Sequence, residues 1–127
     1  MPGLRFITGL CLLALATPLA AQTVRVEAVR VANTGDKTRI VLDIDRASRH
    51  ELFTLANPNR VVIDLPQGSF ALKAGKLPQG AGLVANLRGA NRENGSARLV
   101  MDLDGAVRPN SFLLEPSGSF GYRIVVD

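Results

Sequence analysis

Arg39-Ile40-Val41-Leu42-Asp43-Ile44-Asp45 returns 59 residues later as Arg98-Leu99-Val100-Met101-Asp102-Leu103-Asp104, and this pair of segments decides the fold. Each alternates apolar and other residues with a period of two, the repeat of a β-strand with one face buried. The copying extends outward from there. Phe53 and Leu55 return at the same offset as Phe112 and Leu114, and Val29-Arg30 returns as Leu87-Arg88 at an offset of 58. Arg60-Val61-Val62-Ile63-Asp64 matches Arg123-Ile124-Val125-Val126-Asp127 at an offset of 63. One pattern, Arg-apolar-Val-apolar-Asp, therefore occurs four times, which identifies an internal repeat.

The first copy is expected to form strands near Val24 to Val31, Thr38 to Asp45, Glu51 to Leu55 and Arg60 to Leu65. The second is expected to form them near Leu83 to Ala90, Ser96 to Asp104, Ser111 to Leu114 and Tyr122 to Asp127. Asn33-Thr34-Gly35-Asp36, Asn57-Pro58-Asn59, Glu93-Asn94-Gly95-Ser96 and Pro116-Ser117-Gly118-Ser119 supply the turns, since Asn, Asp and Gly tolerate positive φ and Pro presets it. No segment beyond residue 22 sustains helical periodicity, so the class is all-β. The alternation puts Ile40, Leu42, Ile44, Leu99, Met101, Leu103, Val61, Ile63, Leu65, Ile124 and Val126 on core-facing sides. Arg39, Val41, Asp43, Asp45, Arg98, Val100, Asp102, Asp104, Arg60, Val62 and Asp64 fall on the opposite sides. The expected architecture is a β-sandwich of two symmetric, roughly four-stranded sheets, built from half-repeats at about 24–65 and 83–127. Residues 66–82 form the crossing between the halves.

The first 21 residues read differently. Arg5 precedes an uncharged, mostly apolar run from Phe6 to Ala16, Thr17-Pro18 breaks it, and Leu19-Ala20-Ala21 offers a cleavage site before Gln22. This is the order of a secretory signal peptide, and the apolar run is shorter than the roughly 20 residues that span a bilayer. The expectation is a signal peptide over 1–21, removal of which leaves no membrane anchor and a periplasmic domain over 22–127. Cys11, the chain's one cysteine, lies in that segment, so residues 22–127 offer no disulfide and no thiolate chemistry. They carry 14 Lys and Arg against 11 Asp and Glu, a net charge of +3. A basic balance often means nucleic acid, but an exported chain meets carboxylate-bearing envelope polymers instead. The forked guanidinium of Arg suits those carboxylates.

Enzymatic readings find little support in the residues. His50 is the one histidine, and a catalytic zinc needs about three protein ligands. It is expected as an exposed residue at a strand end, with no metal and no cofactor. Asp43 with Asp45, and Asp102 with Asp104, stand two apart on a strand, so roughly 7 Å separates their carboxyls. That fits an inverting glycosidase, but an open sheet face lacks the burial that holds a general acid protonated. The aromatics Phe53, Phe70, Phe112, Phe120 and Tyr122 are expected mostly in the core.

Gly35-Asp36-Lys37-Thr38-Arg39-Ile40-Val41-Leu42-Asp43 and Phe53-Thr54-Leu55-Ala56-Asn57-Pro58-Asn59-Arg60-Val61-Val62-Ile63-Asp64-Leu65 resemble the AMIN domain, the amino-terminal module of periplasmic N-acetylmuramoyl-L-alanine amidases. The resemblance covers residues 24–127, more loosely in the second half. It implies two symmetric β-sheets with motif residues on the outer faces. It also implies a non-catalytic module that binds peptidoglycan and targets a cell-wall amidase to the septum, with septal or envelope proteins as further candidate partners. The candidate ligand-binding residues on this reading are Arg39, Asp43, Arg60, Asp64, Arg98, Asp102 and Arg123, the arginines gripping stem-peptide carboxylates. The same Arg and Asp residues also suit a purely structural role as cross-strand ion pairs. If both faces bind, loss of Arg39 and Arg60 is expected to leave partial binding that disappears only when Arg98 and Arg123 also go. The zinc hydrolase domain of such amidases is missing from this sequence, and Asp127 ends it in mid-pattern, where the first copy runs on to Leu65-Pro66. The expectation is a domain boundary or a truncated gene. AMIN-like domains also occur in secretins of type IV pili, the main alternative; a glycan hydrolase using the Asp pairs is the other.

Overall fold

The computed structural model describes residues 22–127, with Gly3 and Gly9 of the preceding segment. The expected signal peptide, including Cys11, lies outside the described residues. Nine strands and no helix form the described part: β1 (Val24–Thr34), β2 (Lys37–Ile44), β3 (Glu51–Leu55), β4 (Arg60–Leu65), β5 (Gly68–Phe70), β6 (Val84–Asn91), β7 (Ala97–Leu103), β8 (Ser111–Leu114) and β9 (Tyr122–Val126). Sheet A has the order β5-β1-β2-β9-β8 and sheet B the order β3-β4-β7-β6.

The duplication is built into this topology in an interlocked way. Renaming each strand of the first copy by its equivalent in the second (β1 as β6, β2 as β7, β3 as β8, β4 as β9, and the reverse) turns β1-β2-β9-β8 into β6-β7-β4-β3, which is sheet B. Each half-repeat therefore gives its first hairpin to one sheet and its second to the other. Neither half can bury its apolar faces without the other. The two copies also share an irregularity: β1 is bulged between Val26 and Ala28, and β6 between Val84 and Asn86. The extra residue resets the alternation, so that Val24, Val26 and Val29 all face inward and Arg30 faces out. The β1–β2 hairpin closes through Gly35 at φ 75° and the β6–β7 hairpin through Gly95 at φ 82°, values that glycine adopts without steric cost.

Between the sheets lies one core. Val24, Val26, Val29, Ile40, Leu42, Ile44 and Ile124 come from sheet A, and Val61, Ile63, Leu65, Leu87, Leu99 and Met101 from sheet B. Each such side chain contributes about 1.5–3 kcal/mol of transfer free energy. Leu103, expected inside, is partly buried against this cluster.

Two expectations change here. Sheet A has a fifth strand, because Gly68–Phe70 in the crossing segment runs parallel to β1 along its free edge. Phe53 and Phe112 are not core residues: they stand opposite Val62 and Val125 on the outer sides, and Phe120 is 48% exposed. Those outer sides are in turn not uniformly wet. Val62 and Val125 are each 1% exposed although they belong to no core cluster, being covered by side chains lying across the sheet surface.

Candidate functional site

The arginines of the repeat lie on these outer sides, and they form the same pattern twice. On sheet A, Arg30 donates from Nε and Nη2 to both oxygens of Asp43 (2.8 and 2.8 Å), and Arg39 does the same to Asp127 (2.7 and 2.8 Å). On sheet B, Arg88 grips Asp102 (2.9 and 2.9 Å) and Arg98 grips Asp64 (2.8 and 2.8 Å). These are parallel two-point contacts, the strongest form of ion-paired hydrogen bond. Between them run two apolar cross-strand rows, Phe112-Val125-Val41 and Phe53-Val62-Val100. The Arg39 guanidinium lies 5.9 Å from the Phe112 ring centre and Arg98 lies 5.5 Å from that of Phe53, within cation–π range.

Arg60 and Arg123 behave differently. The register puts Arg123 opposite Asp43 and Arg60 opposite Asp102, yet neither forms an ion pair within 4 Å, since Arg30 and Arg88 hold those carboxylates from the other side. Arg60 instead donates from Nε to Pro58 O (3.0 Å), and Arg123 from Nε to Gly121 O and from Nη2 to Glu115 O (3.3 Å each). Among the seven candidates, then, Arg39 and Arg98 are fastened to Asp127 and Asp64, Asp43 and Asp102 are filled by Arg30 and Arg88, and Arg60 and Arg123 are the cations without a carboxylate partner.

The interlocked topology also regroups the candidates. Arg39, Asp43 and Arg123 share sheet A, whereas Arg60, Asp64, Arg98 and Asp102 share sheet B. The expected pairing of Arg39 with Arg60, and of Arg98 with Arg123, is thus corrected: each of those pairs straddles the two faces. Arg30 and Arg88 were missed as site residues, although their recurrence at an offset of 58 marks them as part of the repeat. Asp127 was missed as the partner of Arg39, a contact between residues 88 positions apart.

Charge follows these contacts. The side-chain hydrogen bonds from Arg88 hold the Asp102 carboxyl below the usual carboxylate range, and those from Arg39 do the same for Asp127. For Asp45, burial pushes the carboxyl up, but the Arg25 backbone N–H (2.8 Å) and Arg46 outweigh it and the net direction is down. A glycosidase acid needs the reverse, a carboxyl kept protonated. His50 is half-buried rather than exposed. Its Nε2 lies 2.8 Å from Ser111 Oγ, joining the approach to β3 with β8 across the two sheets, and burial lowers its pKa. Among the described residues no three metal-capable side chains cluster. A cleft of about 500 Å³ opens between the sheets at one end, floored by Ile40, Val61, Met101 and Val126 and rimmed by Lys37 and Arg108; none of the seven candidates lines it.

The AMIN domain profile matches residues 28–127. The N-acetylmuramoyl-L-alanine amidase AmiC of Escherichia coli O6:H1 (strain CFT073) is 29% identical over 120 residues, covering 91% of this chain and 29% of that protein. AmiC of Neisseria meningitidis serogroup B (strain MC58) is 31% identical over 114 residues, covering 84% of this chain and 27% of its own length. The chain spans less than a third of the length of these relatives. With the duplicated sandwich, the twin outer faces and a match over nearly all of the described residues, the chain belongs to the AMIN domain family.

Proposed function

We propose that residues 22–127 form a non-catalytic module that binds peptidoglycan on its outer sheet faces and serves to place a cell-wall amidase at the division septum. The observation that carries this reading is the pair of arginines, Arg60 and Arg123, that occupy equivalent places on opposite faces without a carboxylate partner. Each sits beside a filled Arg–Asp pair, so the local framework is already rigid and the extra guanidinium is offered to an incoming anion. A stem-peptide carboxylate fits its fork. Family membership supports the reading, as do relatives named for the bond between N-acetylmuramic acid and L-alanine. Those same relatives favour the amidase context over a pilus secretin. The lowered carboxyls of Asp45 and Asp102, one in each candidate pair, speak against the hydrolase alternative. The signal-peptide reading of residues 1–21 supports export to the periplasm, where this polymer lies.

Co-sedimentation with purified sacculi tests the proposal. The purified chain should pellet with them, release no soluble muropeptide, and dissociate as salt is raised, because exposed charges are screened within about 8 Å at physiological ionic strength. Failure to pellet at low salt, or release of fragments that depends on Asp43 or Asp102, would refute it.

A further inference from the structure

The two faces are not equal. The β3–β4 connection on sheet B is the short turn Ala56–Asn59, whereas the equivalent β8–β9 connection on sheet A runs from Glu115 to Gly121. The longer loop is tied into a small hairpin of its own: Ser117 and Phe120 exchange backbone N–H to O bonds of 3.0 Å each, around Gly118 at φ 58°. Arg123 clamps the base of the loop through Gly121 O and Glu115 O. This positions the Phe120 ring centre 4.8 Å from the Arg123 guanidinium and 5.4 Å from that of Arg30. Phe120 is nevertheless 48% exposed. The equivalent sheet B row, Arg88-Asp102-Arg60, carries no such ring.

We infer that Phe120 is a sugar-binding platform, specific to sheet A, for an N-acetylated pyranose ring of the glycan strand. The inference rests on the peptidoglycan reading above and distinguishes its two faces: sheet A engages glycan as well as carboxylate, while sheet B engages carboxylate alone. Single exposed apolar residues are ordinary on protein surfaces. Phe120 differs in being held by two backbone bonds and in packing its ring against the Arg123 and Arg30 guanidiniums. An apolar plate with a polar border matches a pyranose, which has an apolar C–H face and a rim of hydroxyl and acetamido groups. A purely apolar partner would desolvate those charged neighbours without satisfying them. The fixed loop also lowers the ordering cost of binding.

Chitohexaose, which has the N-acetylated sugar but no carboxylate, is the probe. The chain contains no tryptophan, so Phe120→Trp installs a single fluorescent reporter that still stacks. The expected results are a fluorescence change of Phe120→Trp on titration, and loss of chitohexaose affinity by about tenfold in Phe120→Ala at an unchanged melting temperature. Retention of wild-type affinity by Phe120→Ala, or a silent Phe120→Trp, would overturn the inference. Sacculus binding that persists without any response to chitohexaose overturns this inference alone, whereas an unaltered chain that fails to bind sacculi overturns the reading beneath it.

Discussion

Arg39 and Arg98 occupy the same place in the repeat and make the same two-point contact, yet their removal should cost different amounts. The difference lies in the carboxylate left behind. The Asp64 side chain is 11% exposed, whereas the Asp127 side chain keeps 28% exposure. Arg39→Ala frees a carboxylate that water can reach, so the loss should fall within the roughly 0–1 kcal/mol of exposed ion pairs. Arg98→Ala strands a buried acceptor, a penalty of about 1–3 kcal/mol. Arg92, whose Nη1 stands 3.8 Å from Asp64, keeps the cost from rising further. At about 4–8 °C per kcal/mol for a domain near this size, Arg98→Ala should lower the melting temperature by about 4–24 °C and Arg39→Ala by less than about 8 °C. Adding Asp64→Asn to Arg98→Ala should recover part of the loss, because the uncompensated charge is removed. Paired thermal melts of the three variants and the unaltered chain measure this. Equal losses for Arg39→Ala and Arg98→Ala, or no recovery with Asp64→Asn, would refute the claim that burial of Asp64 distinguishes the two faces.

Ile63→Asp should abolish the cooperative melt, since Ile63 is fully buried and an aspartate there has no partner for its charge; a folded variant would contradict the face assignment. Stability should also fall in acid. Asp102 and Asp127 have folded pKa values below the unfolded value of about 3.9, so their contribution is complete above about pH 4 and is lost as pH falls through the folded values. His50, lowered by burial, should add an earlier decline that starts near about pH 6.5 and disappears in His50→Gln; a melting temperature that rises on acidification would be inconsistent with both. Mass spectrometry of the periplasmic protein should find an amino terminus within a residue or two of Gln22, and a membrane-retained chain beginning at Met1 would end the export reading.

Strand positions and the inward set from Ile40 to Val126 were legible because a period of two, repeated in two copies, leaves little freedom in assigning faces. Sheet membership was not legible. Alternation fixes which side of a strand is buried but says nothing about which strands become neighbours, so the exchange of hairpins between the halves had to be seen. That exchange explains the mistaken grouping of Arg39 with Arg60. β5 escaped notice because Gly68, Ser69 and Phe70 are too few for a period and pair through backbone atoms at an edge. Phe53 and Phe112 were misassigned through their size: on a surface crowded with arginine, an aromatic ring finds a half-buried place against guanidinium and valine. The aspartates of the repeat could be recognised as charged partners, but not which arginine each would hold, since Arg30 and Arg123 flank Asp43 from opposite sides and local geometry decides between them.

The central claim, that each outer face offers peptidoglycan one arginine without a carboxylate partner, is tested most directly by sacculus co-sedimentation of Arg60→Ala, Arg123→Ala and the double variant, with a thermal melt of each. Neither arginine forms an ion pair within 4 Å, so all three should stay folded. Each single variant should retain partial binding at low salt, and the double variant should lose most of it. Unchanged binding by a folded double variant would contradict the account and make the charged faces structural.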